Sequence, residues 1–395
     1  MTFALGERPP RRDMMSASTA SVPSPWLPEH VAGIARQHDA ALPVILGQDV
    51  VPMLPDHVVW DMWQIQHEDG CTVIRDRRSF WFFLAAPRRA DPDLRHDEAR
   101  IRFFSHSPGG WRDHGDAFPD GFTPGSREWS GSAVLAADGE TLTQYFTAAG
   151  RRDAPRTFEQ RLFEAIGRFT VADGVPIVRD WSVPNESVAA DGIVYARADQ
   201  AAAVNGLIKG FRDPGYFRDP ADGAEYLLFV GSDGAGGHAF DGVVGLATRE
   251  ADGRWALRPP LVTAIGVNAE LERPHIVSRN GLYYLFWSTQ AARFAPDGPA
   301  GPTGLYAMVA DQVAGPWRPV NGTGLVAANP APEPLQAYCW WITGDWDVIS
   351  FVNLWGLADR DTKIGPTARA APFGGTAAPW FRLEPNGDMI RVVAG

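Results

Sequence analysis

The sequence has little cysteine, little lysine and no long hydrophobic run. Its two cysteines, Cys71 and Cys339, exclude a disulfide-rich scaffold and a multi-cysteine zinc site, and we expect two separate buried thiols. Arginine far outnumbers lysine, no basic block occurs and the net charge is −11, so a nucleic acid is not expected as a partner. The longest apolar run, Phe80 to Pro87, is too short for a transmembrane helix, and we expect no membrane span.

The first residues show no recognisable export signal. Arg11 and Arg12 are followed by DMMSASTA, which is too polar and too short for the apolar core of a signal peptide. Residues 1–26 are rich in Pro, Ser, Arg and Ala without periodicity, and we predict a flexible N-terminal segment there. We expect residues 27–395 to form a single domain, which opens with a short helix over residues 27–39.

Short runs of β-branched and aromatic residues, separated by turn sequences with Gly and Pro, are abundant. EYLLFVGS (225–232) and LYYLFWST (282–289) are examples. This pattern is typical of a mostly β protein. The segment RTFEQRLFEAIGRF (156–169) has apolar residues near helical spacing, but it lies between β runs and has no good cap, so we predict a strand.

A coarse repeat runs along the chain. Five times a polar or charged cluster leads into an aromatic strand, and the clusters follow each other at steps of 69, 83, 59 and 66 residues. Such steps suit four-stranded blades, so we predict an all-β, five-bladed β-propeller whose first strands point at one central axial pocket. A β-sandwich or two β domains is the alternative. The clusters are marked by Asp61, Ser130, Asp213, Glu272 and Tyr338.

Three of these marker residues are acids, namely Asp61, Asp213 and Glu272. Glycoside cleavage uses such a set, because one carboxylate attacks or stabilises an oxocarbenium-like centre while another protonates the leaving oxygen. One such acid alone would more simply be a solvated turn or a salt bridge, but three at blade starts favour a catalytic site. Neighbouring rings and hydroxyl-binding groups suit sugars, with core packing as the alternative for the tryptophans. These neighbours are Trp60, Trp63, Gln66, Trp129, Ser130, Arg212 and Arg273.

No competing motif points to a metal or a cofactor. GAGG at 234–237 is not a dinucleotide-binding fingerprint, and the nine histidines show no HExxH pattern. His275, close to Arg273, is better explained as a structural residue than as a metal ligand. We therefore expect no metal site and no cofactor.

Five segments in order carry a family resemblance. They are VWDMWQIQHEDG (59–70), SREWSGSAVL (126–135), FRDP (211–214), ELERPH (270–275) and QAY (336–338). Together they resemble the motifs of glycoside hydrolase family 68, which contains levansucrases, inulosucrases and bacterial β-fructofuranosidases. The resemblance implies a five-bladed propeller and a retaining mechanism, with sucrose as substrate and sugars as acceptors.

The same resemblance implies a role for each matching residue. Asp61 would be the nucleophile that forms a covalent fructosyl-enzyme, and Glu272 would be the general acid and then the base. Asp213 would bind fructosyl hydroxyls and stabilise the transition state. The residues that would shape the sucrose site are Trp60, Trp129, Ser130, Arg212, Glu270, Arg273 and Tyr338.

Two positions depart from the family pattern. Gln290 stands where the family usually has Arg or His on the glucosyl and acceptor side, so we expect hydrolysis and short transfer products rather than long levan. Ala269 stands at the place of a calcium-site acid, so no structural calcium is expected. Family members are mostly secreted, which implies an extracellular location although no signal peptide is visible.

The sequence thus predicts a retaining sucrose-cleaving fructosyltransferase or β-fructofuranosidase that passes the fructosyl unit to water, sucrose or other sugars. One alternative is a β-fructosidase acting on fructans. The other is a propeller that only binds carbohydrate, which would not need all three acids.

Overall fold

The computed structural model describes residues 22–37, 39–204, 206–357 and 373–394. In this part of the chain the secondary structure is almost entirely β, which confirms the predicted class. No helix among the described residues is long and apolar enough to cross a membrane. The elements before the blades are β1 (Ser24–Pro25), α1 (Pro28–Gly33) and 3₁₀ helices at Ile34–Arg36 and Gly47–Asp49.

Five antiparallel blades follow along the chain. Blade 1 contains β2 (His57–Gln66), β3 (Ile74–Arg75), β4 (Arg78–Pro87), β5 (Arg100–Ser107) and β6 (Gly110–Asp116), with a 3₁₀ helix at Pro92–Asp97. Blade 2 contains β7 (Arg127–Leu135), β8 (Thr141–Ala149), β9 (Gln160–Ala172), β10 (Val175–Arg179) and β11 (Asn185–Val188). Blade 3 contains β12 (Phe211–Arg218), β13 (Glu225–Ser232), β14 (Gly242–Arg249) and β15 (Trp255–Thr263).

The last two blades complete the ring. Blade 4 contains β16 (Glu272–Arg279), β17 (Leu282–Thr289), β18 (Gly304–Ala310), β19 (Arg318–Pro319) and β20 (Leu325–Ala328), with 3₁₀ helices at Ala291–Arg293 and Val320–Gly322. Blade 5 contains β21 (Ala337–Ile342), β22 (Asp347–Leu354), β23 (Phe373–Ala377), β24 (Phe381–Asn386) and β25 (Met389–Ala394). The inner strands contact one another in the closed order β2, β7, β12, β16, β21 and β2 again, so the predicted five-bladed propeller is confirmed.

The hydrophobic runs form the blade interiors. The run Phe80 to Pro87 lies in β4, where Phe80 to Ala86 are all buried, because β4 pairs with β2 and β5 in the middle of blade 1 and packs on both faces. A strand covered on both faces is apolar throughout rather than alternating. The ambiguous segment 156–169 enters β9, so the strand prediction is confirmed from Gln160 onward.

The N-terminal prediction is partly wrong. Of the predicted flexible segment 1–26, residues 1–21 lie outside the described residues, but Ser24 and Pro25 pair in parallel with β15. Trp26 is 1% exposed, and its ring lies 5.4 Å from that of Trp287 and 5.1 Å from that of Tyr306. The burial of one large ring explains why these residues belong to the propeller. The predicted helix is confirmed: it begins at Pro28 and continues as a 3₁₀ turn to Arg36.

All five inner strands are interrupted by a β-bulge near their start. The pairing register shifts after Trp60, Trp129, Arg212, Glu272 and Tyr338. In four of the blades the bulge contains a non-glycine residue with positive φ, which is uncommon and strained. These residues are Asp61 (38°), Asp213 (60°), Arg273 (52°) and Cys339 (58°).

In blade 2 the bulged residue is Ser130, which does not have positive φ, and Gly131 directly follows it. A Cβ at Gly131 would lie 1.8 Å from the Tyr145 carbonyl oxygen, so no larger residue fits beside β8. The bulges turn the side chains at the strand starts away from the regular alternation.

Trp26→Ala tests whether the N-terminal segment stabilises the propeller. We expect the free energy of unfolding to fall by about 3–5 kcal/mol, since the buried ring leaves a cavity between three aromatic neighbours. Urea unfolding followed by circular dichroism measures the change. Val22→Ala is the control. Val22 is 84% exposed, so its truncation should change the free energy of unfolding by less than about 0.5 kcal/mol. Equal stability of Trp26→Ala and the wild type would contradict this packing role.

Candidate active site

A cavity of about 350 Å³ lies where the five inner strands begin. Nine of the twelve residues predicted from sequence line it, so the strands bring together residues separated by more than 200 positions. These nine are Trp60, Asp61, Trp129, Ser130, Arg212, Asp213, Glu270, Glu272 and Gln290. A cavity of this size suits a small ligand such as a disaccharide.

Arg212 holds the acids of the cavity together. Its guanidinium lies 2.7 Å from Glu272 Oε1, 3.5 Å from Asp213 Oδ2 and 3.6 Å from Glu270 Oε2. Only 6% of the Arg212 side chain is exposed, and this burial by itself disfavours the charged guanidinium. The charges of the surrounding carboxylates nevertheless raise the pKa of Arg212. A permanently charged guanidinium among three buried carboxylates reduces their mutual repulsion.

Asp61 stands on the bulge of β2. Its Oδ2 accepts a hydrogen bond of 3.0 Å from Ser130 Oγ on the neighbouring inner strand. Desolvation raises the pKa of Asp61. The charge of Arg273 and the Ser130 hydrogen bond lower this pKa, and the negative charge of Glu272 raises it further. The carboxylate is therefore oriented by one hydroxyl and supported by one cation, as a nucleophile requires.

Asp213 occupies the equivalent bulge of β12. Burial raises the pKa of Asp213 to about 7; the Arg212 charge opposes this, and the Asp61 and Glu272 charges add to it. Its backbone N–H donates a 2.8 Å hydrogen bond to Thr147 Oγ1, which fixes the strained backbone. A carboxyl group of this kind can bind sugar hydroxyls in a dry pocket.

Glu272 is the first residue of β16 and has the most exposed side chain of the carboxylates around Arg212, at 16%. One carboxylate oxygen pairs with Arg212, and the other accepts a hydrogen bond from the Tyr338 hydroxyl. Burial and then the charge of Glu272 raise the pKa of Tyr338 well above its usual value, so this hydroxyl stays protonated. Tyr338 is thus connected to the site by its hydrogen bond to Glu272, in keeping with its predicted place.

The structure places Arg273 beneath the site rather than in it. Arg273, predicted to shape the sucrose site, does not line the cavity, because the bulge turns its side chain into the propeller, where it is 1% exposed. Its Nη2 donates a 2.7 Å hydrogen bond to the Met62 carbonyl, and the guanidinium lies 4.7 Å from the ring of Trp341. Its charge acts on Asp61 from behind.

Gln66, also predicted to bind substrate, does not line the cavity either. Gln66 lies five positions beyond Asp61 along β2, roughly 16 Å away at the usual rise of a strand. Its Nε2 donates a 3.3 Å hydrogen bond to the Tyr216 carbonyl, away from the cavity. A strand that runs from the pocket through the propeller cannot present both of its ends to one ligand.

Several cavity residues carried no signal in the sequence analysis. They come from turns between strands, outside the five family motifs. They include His96, Asp97, Arg156, Phe158 and Arg293. Asp97 and Arg156 form an ion pair at the rim.

Arg293 matters most among these, because it stands three residues after Gln290 in the 3₁₀ turn. Its Nε lies 3.0 Å from Glu270 Oε2, and its Nη1 donates a 3.0 Å hydrogen bond to the Gly206 carbonyl. Gln290 itself lines the cavity, as predicted. An arginine therefore stands on this side of the site although position 290 is an amide.

The cysteines and His275 play structural parts. Both cysteines are free, and Cys339 is buried next to Asp61, but Cys71 is only half-buried, so that part of the prediction is wrong. His275 accepts a 3.0 Å hydrogen bond from the Ile342 N–H, stacks 4.1 Å from the Trp341 ring, and has its pKa lowered to about 3 by burial. These contacts confirm a structural histidine.

The profile described as levansucrase/invertase, that of glycoside hydrolase family 68, matches residues 15–240 and 238–394. The chain belongs to glycoside hydrolase family 68. A levansucrase of Zymomonas mobilis is 32% identical over 402 residues, covering 94% of this chain and 90% of that protein. A levansucrase of Pseudomonas savastanoi pv. glycinea is 30% identical, covering 85% and 83%.

Solved structures agree with this family membership. The inulosucrase from Halalkalicoccus jeotgali bound to kestose is 37% identical, with a TM-score of 0.84 over 94% of this chain and 96% of that one. A levansucrase of Gluconacetobacter diazotrophicus, 24% identical with a TM-score of 0.80 over 95% and 91%, shares the fold. This family 68 protein is therefore a fructosyltransferase with the five-bladed propeller of the family.

Asp213→Asn tests how much ionisation of the buried Asp213 carboxyl group lowers the stability of the fold. Because the folded pKa of Asp213, about 7, lies above its unfolded value near 4, its ionisation destabilises the fold as pH rises through this window. We expect the variant to have a higher Tm than the wild type at pH 8 and an equal Tm near pH 4. Thermal unfolding between pH 4 and 8 measures this, with exposed Asp120→Asn as control. A Tm difference independent of pH would contradict the assignment.

Proposed function

We propose that this protein cleaves sucrose by double displacement and transfers the fructosyl unit to water or to a sugar. The observation that carries the proposal is the convergence of Asp61, Asp213 and Glu272 on one cavity around Arg212. The family membership and the kestose-bound inulosucrase among the similar structures support a sucrose-derived substrate.

In the first step Asp61 Oδ1 or Oδ2 attacks the anomeric carbon of the fructosyl unit. The bond to the glucosyl oxygen breaks, and the carboxyl group of Glu272 gives its proton to that oxygen. Glucose leaves, and the fructosyl unit remains as an ester of Asp61. Ser130 holds the attacking carboxylate, and the charge of Arg273 favours its ionised form against the effect of burial.

In the second step Glu272, now a carboxylate, takes a proton from water or from a sugar hydroxyl, and the resulting oxygen attacks the ester. The Tyr338 hydroxyl and Arg212 stabilise this carboxylate between the two steps. Asp213 binds ring hydroxyls and stabilises the positive charge that develops at the anomeric centre. Two inversions at one carbon retain its configuration.

Asp61→Asn tests the nucleophile. We expect glucose release from sucrose to fall on the order of 10⁴-fold or more, because an amide cannot form the ester. The Tm should stay at or above that of the wild type, since the variant removes a desolvated charge. Asp69→Asn, an exposed residue beyond the far end of β2, is the control and should keep its rate.

Glucose and fructose are quantified together in this assay. Equal amounts indicate hydrolysis, and an excess of glucose indicates transfer. Absence of glucose release by the wild type at every pH, faster cleavage of levan or inulin than of sucrose, or near-normal turnover by Asp61→Asn would each contradict the proposal.

We also propose that the transfer products are short. Gln290 offers an amide where a cation would bind an acceptor more strongly, and the Arg293 guanidinium is already engaged by Glu270 and Gly206. Gln290→His should therefore raise the ratio of transfer to hydrolysis and lengthen the products, as measured by chromatography of the sucrose reaction. Gln290→Asn, which keeps an amide, should leave both unchanged. Long levan from the wild type would contradict the proposal.

A further inference from the structure

His96 presents an imidazole to the cavity that the mechanism above does not use. The ring lies edge-on to Trp60, with 5.8 Å between the centroids and 76° between the planes. Among the described residues, no hydrogen bond or ion pair engages its ring nitrogens. Trp60 directly precedes Asp61, so the ring stands on the side of the nucleophile.

The backbone that carries His96 is firmly held. The Asp91 side chain accepts a 3.0 Å hydrogen bond from the Asp93 N–H at the start of the 3₁₀ helix Pro92–Asp97. The His96 carbonyl accepts a 3.1 Å hydrogen bond from Trp129 Nε1, which ties the helix to the next blade. A side chain on such a rigid element is prepared to bind a ligand in one geometry.

Arg95 anchors the same turn from below. Its guanidinium lies 4.7 Å from the Phe373 ring and 5.5 Å from the Trp60 ring, and Nη1 donates a 2.7 Å hydrogen bond to the Pro92 carbonyl. The buried arginine therefore fixes Trp60 and the His96 turn as one unit. This arrangement leaves the imidazole of His96 as the free polar group of the turn inside the cavity.

The surroundings keep this imidazole neutral. Burial, and then the charges of Arg95, Arg212 and Arg127, lower the pKa of His96 well below its usual value. The two acids of this helix that line the cavity are both paired, Asp93 with Arg95 and Asp97 with Arg156. A neutral imidazole has one N–H donor and one acceptor nitrogen, which matches a sugar hydroxyl that also donates and accepts.

We propose that His96 is a substrate-binding residue, whose imidazole exchanges hydrogen bonds with hydroxyls of the fructosyl unit next to Asp61. The proposal rests on the function given above, because it assigns the fructosyl unit to the side of the nucleophile. The proposal thus assigns part of the recognition of the fructosyl unit to the 3₁₀ helix Pro92–Asp97, which lies outside the five sequence motifs.

His96→Phe tests the proposal, because the ring keeps its contact with Trp60 but loses both nitrogens. We expect kcat/KM for sucrose to fall roughly tenfold and inhibition by free fructose to weaken by a similar factor, as for the loss of one or two neutral hydrogen bonds. Inhibition by glucose should stay unchanged. His96→Gln, which restores a donor and an acceptor, should recover most of the loss.

His106→Phe is the matched control. His106 of blade 1 packs against Trp111 and Trp380 and does not line the cavity. Fructose binding is also measured without turnover, by quenching of tryptophan fluorescence in the wild type and in His96→Phe. If the wild type binds fructose but releases no glucose from sucrose, the proposed function fails while the role of His96 remains testable by binding.

Three results would overturn the role of His96. The first is unchanged fructose binding and kcat/KM in His96→Phe. The second is an equal weakening of inhibition by glucose and fructose, which would mean a general distortion of the pocket. The third is a loss of activity that follows a fall in Tm and is not recovered by His96→Gln, which would mean a structural role.

Discussion

The site depends on one backbone constraint, the break in pairing that occurs at the same level of all five inner strands. Four non-glycine residues there adopt positive φ, each at a cost of order 1–3 kcal/mol, and the hydrogen-bonded blades around them hold them in place. A regular strand would send alternate side chains to opposite faces of a blade. The bulge instead lets residues such as Asp61 and Asp213 line the cavity, so the strain is part of the means by which distant segments meet.

The convergence of these segments brings several carboxylates close together, and arginine side chains reduce their mutual repulsion. Six acids line one small cavity, and four of them, Asp61, Asp213, Glu270 and Glu272, lie at or close to the starts of inner strands. Arg212 stands between three of them, Arg293 pairs with Glu270, and Arg273 lies behind Asp61. Arginine keeps its proton even when buried and can bind two carboxylates at once, which lysine does less well. This explains why a chain poor in lysine can carry such a site.

Sequence reasoning predicted the fold and most of the site because each inner strand begins with a polar cluster at a regular step. It failed where side-chain direction depends on the bulge, as for Arg273, or on the length of a strand, as for Gln66. It also missed His96 and Arg293, since turns carry no periodicity from which direction can be inferred. Trp26 was assigned to a flexible segment because local composition cannot show a partner more than 260 residues away.

The pairing of Glu270 with a guanidinium from a short turn has an evolutionary consequence. A residue on a strand is locked in register, but a residue on a turn moves when the turn gains or loses one position. The charge next to Glu270 in this propeller is thus open to adjustment by insertion and deletion, without any exchange of amino acids in the strands. Product diversity among such enzymes can arise from loop length while the acids at the axis stay fixed.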